Sequence, residues 1–525
     1  MSSYVLGCDL GTMGTKTALY SANGRVAAEA FQESKISYPR PGVVEQDPDD
    51  IFASAVATIR AVIERSGVHP GQIAGIAFDG QMAGMINLDA NWGVVTPYDS
   101  WLDTRCARYI PVLKTRESEI IASSGGAPSF NHGAKMLFWK NEHPEIYARI
   151  AKFTMLSSYV AGRMAGLKGE DAFIDRSYLG LSNFADTSKS RWNVDLVEAF
   201  GLDPKKMPRI VDPWEIIGAV TPEMARLTGL AAGTPIAAGC GDATANILGA
   251  GIVEPGTLFD VAGTASVLSI VTDRFATDTR HKMLYMCPHA APGLYFAMAY
   301  VNGGGLNLRW FRDQFGQVEK LISEADGENV YQRLGRMAEK APPGAGKLLF
   351  LPHLGGRVCP NNATVRGAIM GLSWGHTKNH IFRAILEGIG YEYAYYLKAC
   401  RDLMPEFRPK RIVGIGGGAR SRIFKQIKAD ILGVPYMSLD REECGTLGAA
   451  LVAGHAAGLF SDMAATAESF TRPTGEAVSP DPERHAFYQP LARAYVTMLE
   501  STQAVFDELA AIEDFVPSER AMAAE

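Results

Sequence analysis

One unit of sequence constrains this chain more than any other, because it occurs twice. Tyr4–Leu10 is a short apolar run ending at Asp9-Leu10, which breaks into Gly11-Thr12-Met13-Gly14-Thr15 before a second extended run over residues 16–21. Far downstream, residues 257–261 read as a strand, Ala262-Gly263-Thr264-Ala265 as a tight turn, and residues 266–271 as the returning strand. A strand, a turn of small residues and a returning strand in each half point to a duplicated α/β architecture. The 525 residues agree, since single cores stop growing near ~250–300 residues. Residues 239–251 are rich in Gly and Ala, so the expected division is 1–250, then 251–485, with residues 486–525 as a C-terminal helix and tail that frays at its polar end.

The local grammar extends both units. Asn23-Gly24 predicts a hairpin turn into a third strand over residues 25–31, the dipeptide supplying the positive φ such turns need. Asp47 before Pro48 predicts a helix start, with Phe52, Val56, Ile59 and Ile63 on one face. In the second half, Arg411–Ile415 reads as a strand, Gly416-Gly417-Gly418 as a turn, and Ile423, Ile427 and Ile431 as the stripe of a helix. Strand, glycine turn and helix place backbone N–H groups where a phosphate can reach them.

Composition excludes several classes. A net charge of -6 with no clustered Lys/Arg run leaves no field for a nucleic-acid backbone. Seven scattered cysteines without a Cys-x-x-Cys pair suit a reducing, cytoplasmic setting. No basic leader precedes an apolar stretch and no window approaches eighteen apolar residues, so neither secretion nor a membrane partner is expected.

Phosphoryl transfer needs N–H groups around the phosphates, a carboxylate near the metal and a base for the attacking hydroxyl. The loop after Asp9 and the turn at Gly263-Thr264 are candidates for the first need, and Asp9 for the second. Two such turns facing each other across a cleft would enclose a triphosphate.

Taken in order, Gly7-Cys8-Asp9-Leu10-Gly11-Thr12, Glu45-Gln46-Asp47-Pro48, Gly80-Gln81-Met82, Trp101-Leu102-Asp103-Thr104-Arg105 and Gly239-Cys240-Gly241-Asp242 resemble the amino-terminal half of the FGGY carbohydrate kinases. The resemblance continues through Gly263-Thr264-Ala265, Trp310-Phe311-Arg312-Asp313, Arg366-Gly367-Ala368, His376-Thr377, Arg383-Ala384-Ile385-Leu386-Glu387-Gly388 and Gly416-Gly417-Gly418-Ala419-Arg420-Ser421. It implies the two-domain fold shared with actin, hexokinase and Hsp70, with a ribonuclease-H-like core in each domain around a central cleft. It also implies ATP and Mg2+ as cofactors, a small sugar as substrate, and a homodimer. Carried over residue by residue, Asp242 is the catalytic base and Asp9 lies near the metal. Gly11, Thr12, Gly14, Thr15 and Lys16 line the first phosphate loop. Gly263 and Thr264 form the second, Gly305 and Arg309 approach the nucleotide, and Gly417, Gly418 and Ser421 belong to the adenosine motif. Met82, Ala83, Trp101, Asp103, Arg105, Phe130 and Asp242 align with sugar-side positions. The chain looks most like the kinases of D-xylulose, yet these usually read Met-His where it has Met82-Ala83 and Asp-Asn where it has Asp242-Ala243. With two polar contacts missing, ribulose, L-xylulose, erythritol and glycerol stand beside D-xylulose as acceptors, because a site built for a hydroxyl rejects analogues lacking it.

Rival readings exist. Gly371-Leu372-Ser373-Trp374-Gly375 matches the nucleophile elbow of α/β-hydrolases, with His376, His380, His455 and His485 downstream. Against it, Ser373 is followed by a polar loop before a helix begins. His376 and His380 flank Thr377 where a zinc-protease motif needs Glu, so they read as loop or cap residues. Gly344-Ala345-Gly346-Lys347-Leu348 lacks the Ser or Thr of a P-loop. An actin- or chaperone-like ATP-driven protein is the non-enzymatic alternative; Asp242 and the Trp101–Arg105 segment argue against it.

Overall fold

The computed structural model describes residues 3–441 and 444–513; the expected polar end lies outside them. The first half builds strands β1 (Tyr4–Leu10), β2 (Gly14–Ser21), β3 (Val26–Glu33), β4 (Ile73–Gly80), β5 (Ile216–Ala219), β6 (Pro235–Ala237) and β7 (Cys240–Gly241). They form one sheet in the order β5-β6-β4-β1-β2-β3, with β7 pairing β4. The second half builds β8 (Thr257–Ala262), β9 (Ser266–Thr272), β10 (Tyr285–Pro288), β11 (Tyr295–Val301), β12 (Arg411–Ile415), β13 (Tyr436–Leu439) and β14 (Pro473–Val478). Their order is β10-β11-β9-β8-β12-β13-β14.

The duplication is explicit in the pairing. In each half a central strand has an antiparallel hairpin partner, β1 with β2 and β8 with β9, and a parallel neighbour on its other side, β4 and β12. The principal helices are α1 (Pro48–Ser66), α2 (Asp242–Gly249), α3 (Gly304–Gln314), α4 (Lys378–Leu403), α5 (Arg422–Leu432), α6 (Gly445–Ala456) and α7 (Pro482–Ser501).

Local chemistry accounts for the starts and stops. Asp47 accepts a hydrogen bond from Asp49 N at 2.8 Å and Pro48 opens α1, satisfying an amide the helix leaves over. Thr15 and Thr17 then key α1 to β2 through Ser54 (2.6 Å) and Thr58 (2.8 Å). The resulting core is sheet against helix, with Leu6, Leu19, Phe52, Ile59 and Phe78 in one apolar cluster. Before α4, Thr377 and His380 cap each other's backbone amides, which gives His380 a structural task.

Helix α6 breaks the sequence order. It follows β13 of the second sheet yet packs on β1 and β4 of the first, where Leu447 and Ala450 join Val5, Ala77 and Leu248 in one cluster. Glycines allow the approach. A Cβ on Gly7 would lie 1.9 Å from Thr446 O, and one on Gly448 would lie 1.9 Å from Ala245 O of α2. Tyr20 Oη and Thr446 Oγ1 meet at 2.8 Å. The halves also join at β10, where Met286 N donates to Gly125 O at 2.9 Å.

Candidate active site

Parallel register brings acidic residues together at the carboxyl ends of the first sheet. Asp9 of β1 pairs across from Asp79 of β4, and Asp79 from Cys240 of β7. Both carboxylates approach the start of α6: a Cβ built on Gly445 would lie 3.3 Å from Asp9 Oδ2 and 3.4 Å from each Asp79 oxygen. Asp242 begins α2 just after β7, and its Oδ1 accepts from Ala243 N at 2.6 Å. Asp242 keeps an opening to solvent, but its carboxyl lies deep among protein atoms. Burial, followed by the like charge of Asp9, pushes that carboxyl up to about 7.

The sugar-side candidates divide into those that face this centre and those that frame it. Trp101 is half-buried and its Nε1 donates to Thr12 Oγ1 at 2.8 Å. Met82 packs its side chain against Gly241, beside Asp242. Ala83, Phe130 and Ala243 are partly buried against the same cluster. Asp103 behaves differently: it is 0% exposed and accepts from Val44 N (2.7 Å), Arg105 N (3.0 Å) and Arg105 Nε (2.8 Å). Arg105 also donates to Glu45 at 2.7 Å, with its side chain 8% exposed. These two residues hold the Trp101 loop to the Glu45 strand and offer a ligand little surface.

The first loop is closed by Gly11 N donating to Gly14 O at 3.1 Å. Pleating sends Thr15 to α1, where its hydroxyl meets Ser54. Lys16 lines a surface groove with Glu29 and Arg65.

The second half gathers its candidates in one place. A cavity of about 650 Å³ is lined by Gly263, Thr264, Gly305, Arg309, Gly417, Gly418 and Ser421. Amides at the start of α3 close on the β8 turn, Gly305 N to Gly263 O (3.0 Å) and Leu306 N to Thr264 O (3.1 Å). A Cβ on Gly305 would sit 2.3 Å from Gly263 O, so only glycine permits this closure. Gly416 takes φ +84° and Ser421 caps α5 through Phe424 N. Tyr331, Gln332, Gly335 and Arg336 complete the wall from the helix Val330–Glu339. No turn or motif in that segment announces them, since an amphipathic helix reads alike whether it covers a core or a cavity.

Beneath the β8 turn lies a buried ion pair. Asp260 of β8 (0% exposed) meets Lys428 of α5 (1% exposed), and accepts from Tyr393 Oη at 2.8 Å and Tyr436 Oη at 2.7 Å. It ties β8, α4, α5 and β13 together under both glycine turns.

The chain matches the N-terminal domain of the FGGY family of carbohydrate kinases over residues 4–249 and the C-terminal domain over residues 260–457. The chain belongs to this family. Its relatives include the xylulose kinase of Escherichia coli K12, 31% identical over 92% of this chain and 96% of that one. The gluconokinase of Bacillus subtilis is 28% identical over 89% of this chain and 90% of that one. Among solved structures, ligand-bound xylulose kinase from Lactobacillus acidophilus superposes with a TM-score of 0.87 at 25% identity, covering 96% of this chain and 99% of that one.

The FGGY chain is therefore a sugar kinase that uses ATP with Mg2+, on the two-domain actin-like fold its sequence motifs imply. Its residues fit both cofactors. The glycine-lined cavity has the volume and the backbone donors of a nucleotide site. No group of three or more His, Cys, Asp or Glu among the described residues is arranged to hold a metal ion. Magnesium is held by one or two carboxylates together with phosphates and water, and Asp9 and Asp79, which converge at Gly445, are of that kind. The hydrolase reading falls on geometry as well. Ser373 Oγ lies 2.9 Å from His376 Nδ1, but in an exposed turn five residues ahead of α4, and His376 Nε2 faces the Gly346 carbonyl at 3.2 Å in place of a carboxylate. No helix among the described residues is long and apolar enough to cross a membrane.

Proposed function

We propose that this FGGY kinase phosphorylates a terminal hydroxyl of a pentulose, D-xylulose foremost, with Asp242 as the general base. The observation that carries the reading is Asp242 itself, a carboxylate at the mouth of β7 beside Asp9, with its acidity tuned by burial to about 7. A base of that strength accepts a hydroxyl proton far better than an ordinary aspartate, and such assistance supplies ~10²–10⁴-fold. Bound ATP with Mg2+ supplies the phosphoryl group and the charge compensation for its transfer. The chain's part is to seat the acceptor against Met82, Ala83, Trp101 and Phe130, to take its proton at Asp242, and to keep Asp9 available to the metal. The turns at residues 11–14 and 263–264 hold the phosphates and close with the cleft, excluding water. Asp103 and Arg105 serve this site by fixing the Trp101 loop. Seven buried cysteines, all outside disulfides, support work in the cytoplasm.

The named sugar rests on the xylulose kinase relatives and is tested directly. Coupled ADP release with Mg-ATP across pentuloses, hexuloses, pentitols, gluconate, erythritol and glycerol is expected to single out a pentulose. A response to gluconate or a tetritol alone would replace D-xylulose, and sugar-independent hydrolysis with a flat panel would overturn the kinase assignment of the cleft.

The pH profile follows from the same group. Asp242 works as a base only when deprotonated, and its acidity is weakened relative to an ordinary aspartate, so competence is lost as pH falls through about 7. In kcat/KM, which reports the free enzyme, an acid limb near pH 7 is expected; a flat profile down to pH 5 would sink the assignment.

A further inference from the structure

Two buried amides connect the sugar side of the site to the first phosphate loop. Gln81 Nε2 donates to Gln46 Oε1 at 2.9 Å, and Gln46 Nε2 donates to Thr12 O at 3.3 Å. Both residues are nearly inaccessible, Gln81 at 1% and Gln46 at 2% exposure. The direction of this chain is fixed by its end. A backbone carbonyl can only accept, so Gln46 must present its nitrogen to Thr12 and its oxygen to Gln81. Gln81 Oε1 is then left over, and it has no hydrogen-bond partner among the described residues. An unmatched buried acceptor is costly, and a hydroxyl or water entering beside Met82 would relieve that cost. Thr12 is gripped a second time, at its hydroxyl, by Trp101. Gln46 is itself anchored by pairing with Tyr98 in a short ladder, so its side chain is the link and its backbone the fixed point.

We infer that Gln46 and Gln81 are positioning residues that couple the sugar-side segment 81–83 to the phosphate loop at Thr12, so that occupancy of either is felt at the other. Neither amide needs to touch a reacting atom. The chemical class served is a polyhydroxyl acceptor whose hydroxyl completes Gln81 Oε1, and the consequence is a phosphate loop held more firmly when the acceptor is present. The inference rests on the assignment of residues 11–14 to the phosphates, and its test does not depend on which sugar is used.

Coupling of this kind is reciprocal, so the nucleotide alone reports it. Amide hydrogen exchange is measured on the full chain with and without Mg-AMP-PNP. In the wild type, exchange is expected to slow at residues 11–15 and also, by about 5-fold or more, at residues 81–83. In Gln46→Met, which keeps the side-chain length and removes both amide bonds, the slowing at 11–15 should persist and that at 81–83 should vanish. Gln81→Met cuts the same chain from its other end and must give the same loss, which keeps the test decisive should one variant fold poorly. If residues 81–83 still respond in both variants, the coupling travels another way and the relay is overturned. If residues 11–15 do not respond in the wild type, the relay falls together with the phosphate-loop assignment. If 11–15 respond and 81–83 do not, the relay alone falls.

Discussion

Replacing Asp242 with Asn is expected to lower kcat by at least ~10²-fold while leaving the affinities for sugar and nucleotide nearly unchanged. The substitution isolates one property. Asparagine keeps the side-chain shape and an Oδ1 that can still accept from Ala243 N, so the start of α2 should hold. What is lost is the ability to take a proton at a carboxyl tuned to about 7. Removing a negative charge beside Asp9 also relieves repulsion, so no loss of stability should accompany the loss of turnover. Steady-state kinetics, with binding followed separately by calorimetry, check the split. Normal kcat would remove Asp242 from the chemistry, and a raised KM with normal kcat would make it a binding residue only.

Lys428→Met is expected to destabilise the second half by ~3–5 kcal/mol, the cost of leaving a buried charge without its partner. Asp260 would keep the hydroxyls of Tyr393 and Tyr436 but would carry its charge into an apolar setting beside Phe424 and Tyr393, over whose rings Lys428 now lies at 4.1 and 4.9 Å. The double variant Asp260→Asn/Lys428→Met should recover most of that loss, because a neutral amide can accept from one tyrosine hydroxyl at its oxygen and donate to the other from its nitrogen. Thermal and urea unfolding of the three proteins measure the difference. A single variant as stable as wild type, or a double variant no better than the single, would contradict the account. Since the pair lies under the β8 and β12 turns, weaker ATP binding should accompany the single substitution.

What the sequence disclosed was local. The strand boundaries at Tyr4–Leu10 and Arg411–Ile415, the Asp47 cap and the positive φ of Gly24 all follow from residues within a few positions of one another. The convergence of Gly263, Gly305, Gly417 and Ser421 on one cavity was accessible only through motif order, because the segments with Gly263 and Gly305 meet the one with Gly417 and Ser421 across more than a hundred residues of chain. The position of Asp103 was not legible: a carboxylate beside Trp101 reads as a sugar contact until Val44 N and Arg105 are seen to surround it. The same holds for Gln46, whose place in a helix-start motif gives no sign that its side chain reaches Thr12. Strand β14 was missed because Pro473–Val478 is exposed and carries no apolar alternation.

The late return of α6 to the first sheet bears on how the protein is made. A ribosome finishes β1 through β7 long before it reaches residue 445, and at roughly 5–20 residues per second the interval is on the order of ten to forty seconds. During that time Val5, Ala77 and Leu248 lack the helix that buries them in the finished protein. The first half is thus a nascent surface in need of protection, and a fragment ending near residue 250 would keep that surface open permanently. Such a fragment should be recovered bound to chaperones or aggregated, and co-expression of residues 444–470 as a separate peptide would be the natural way to rescue it.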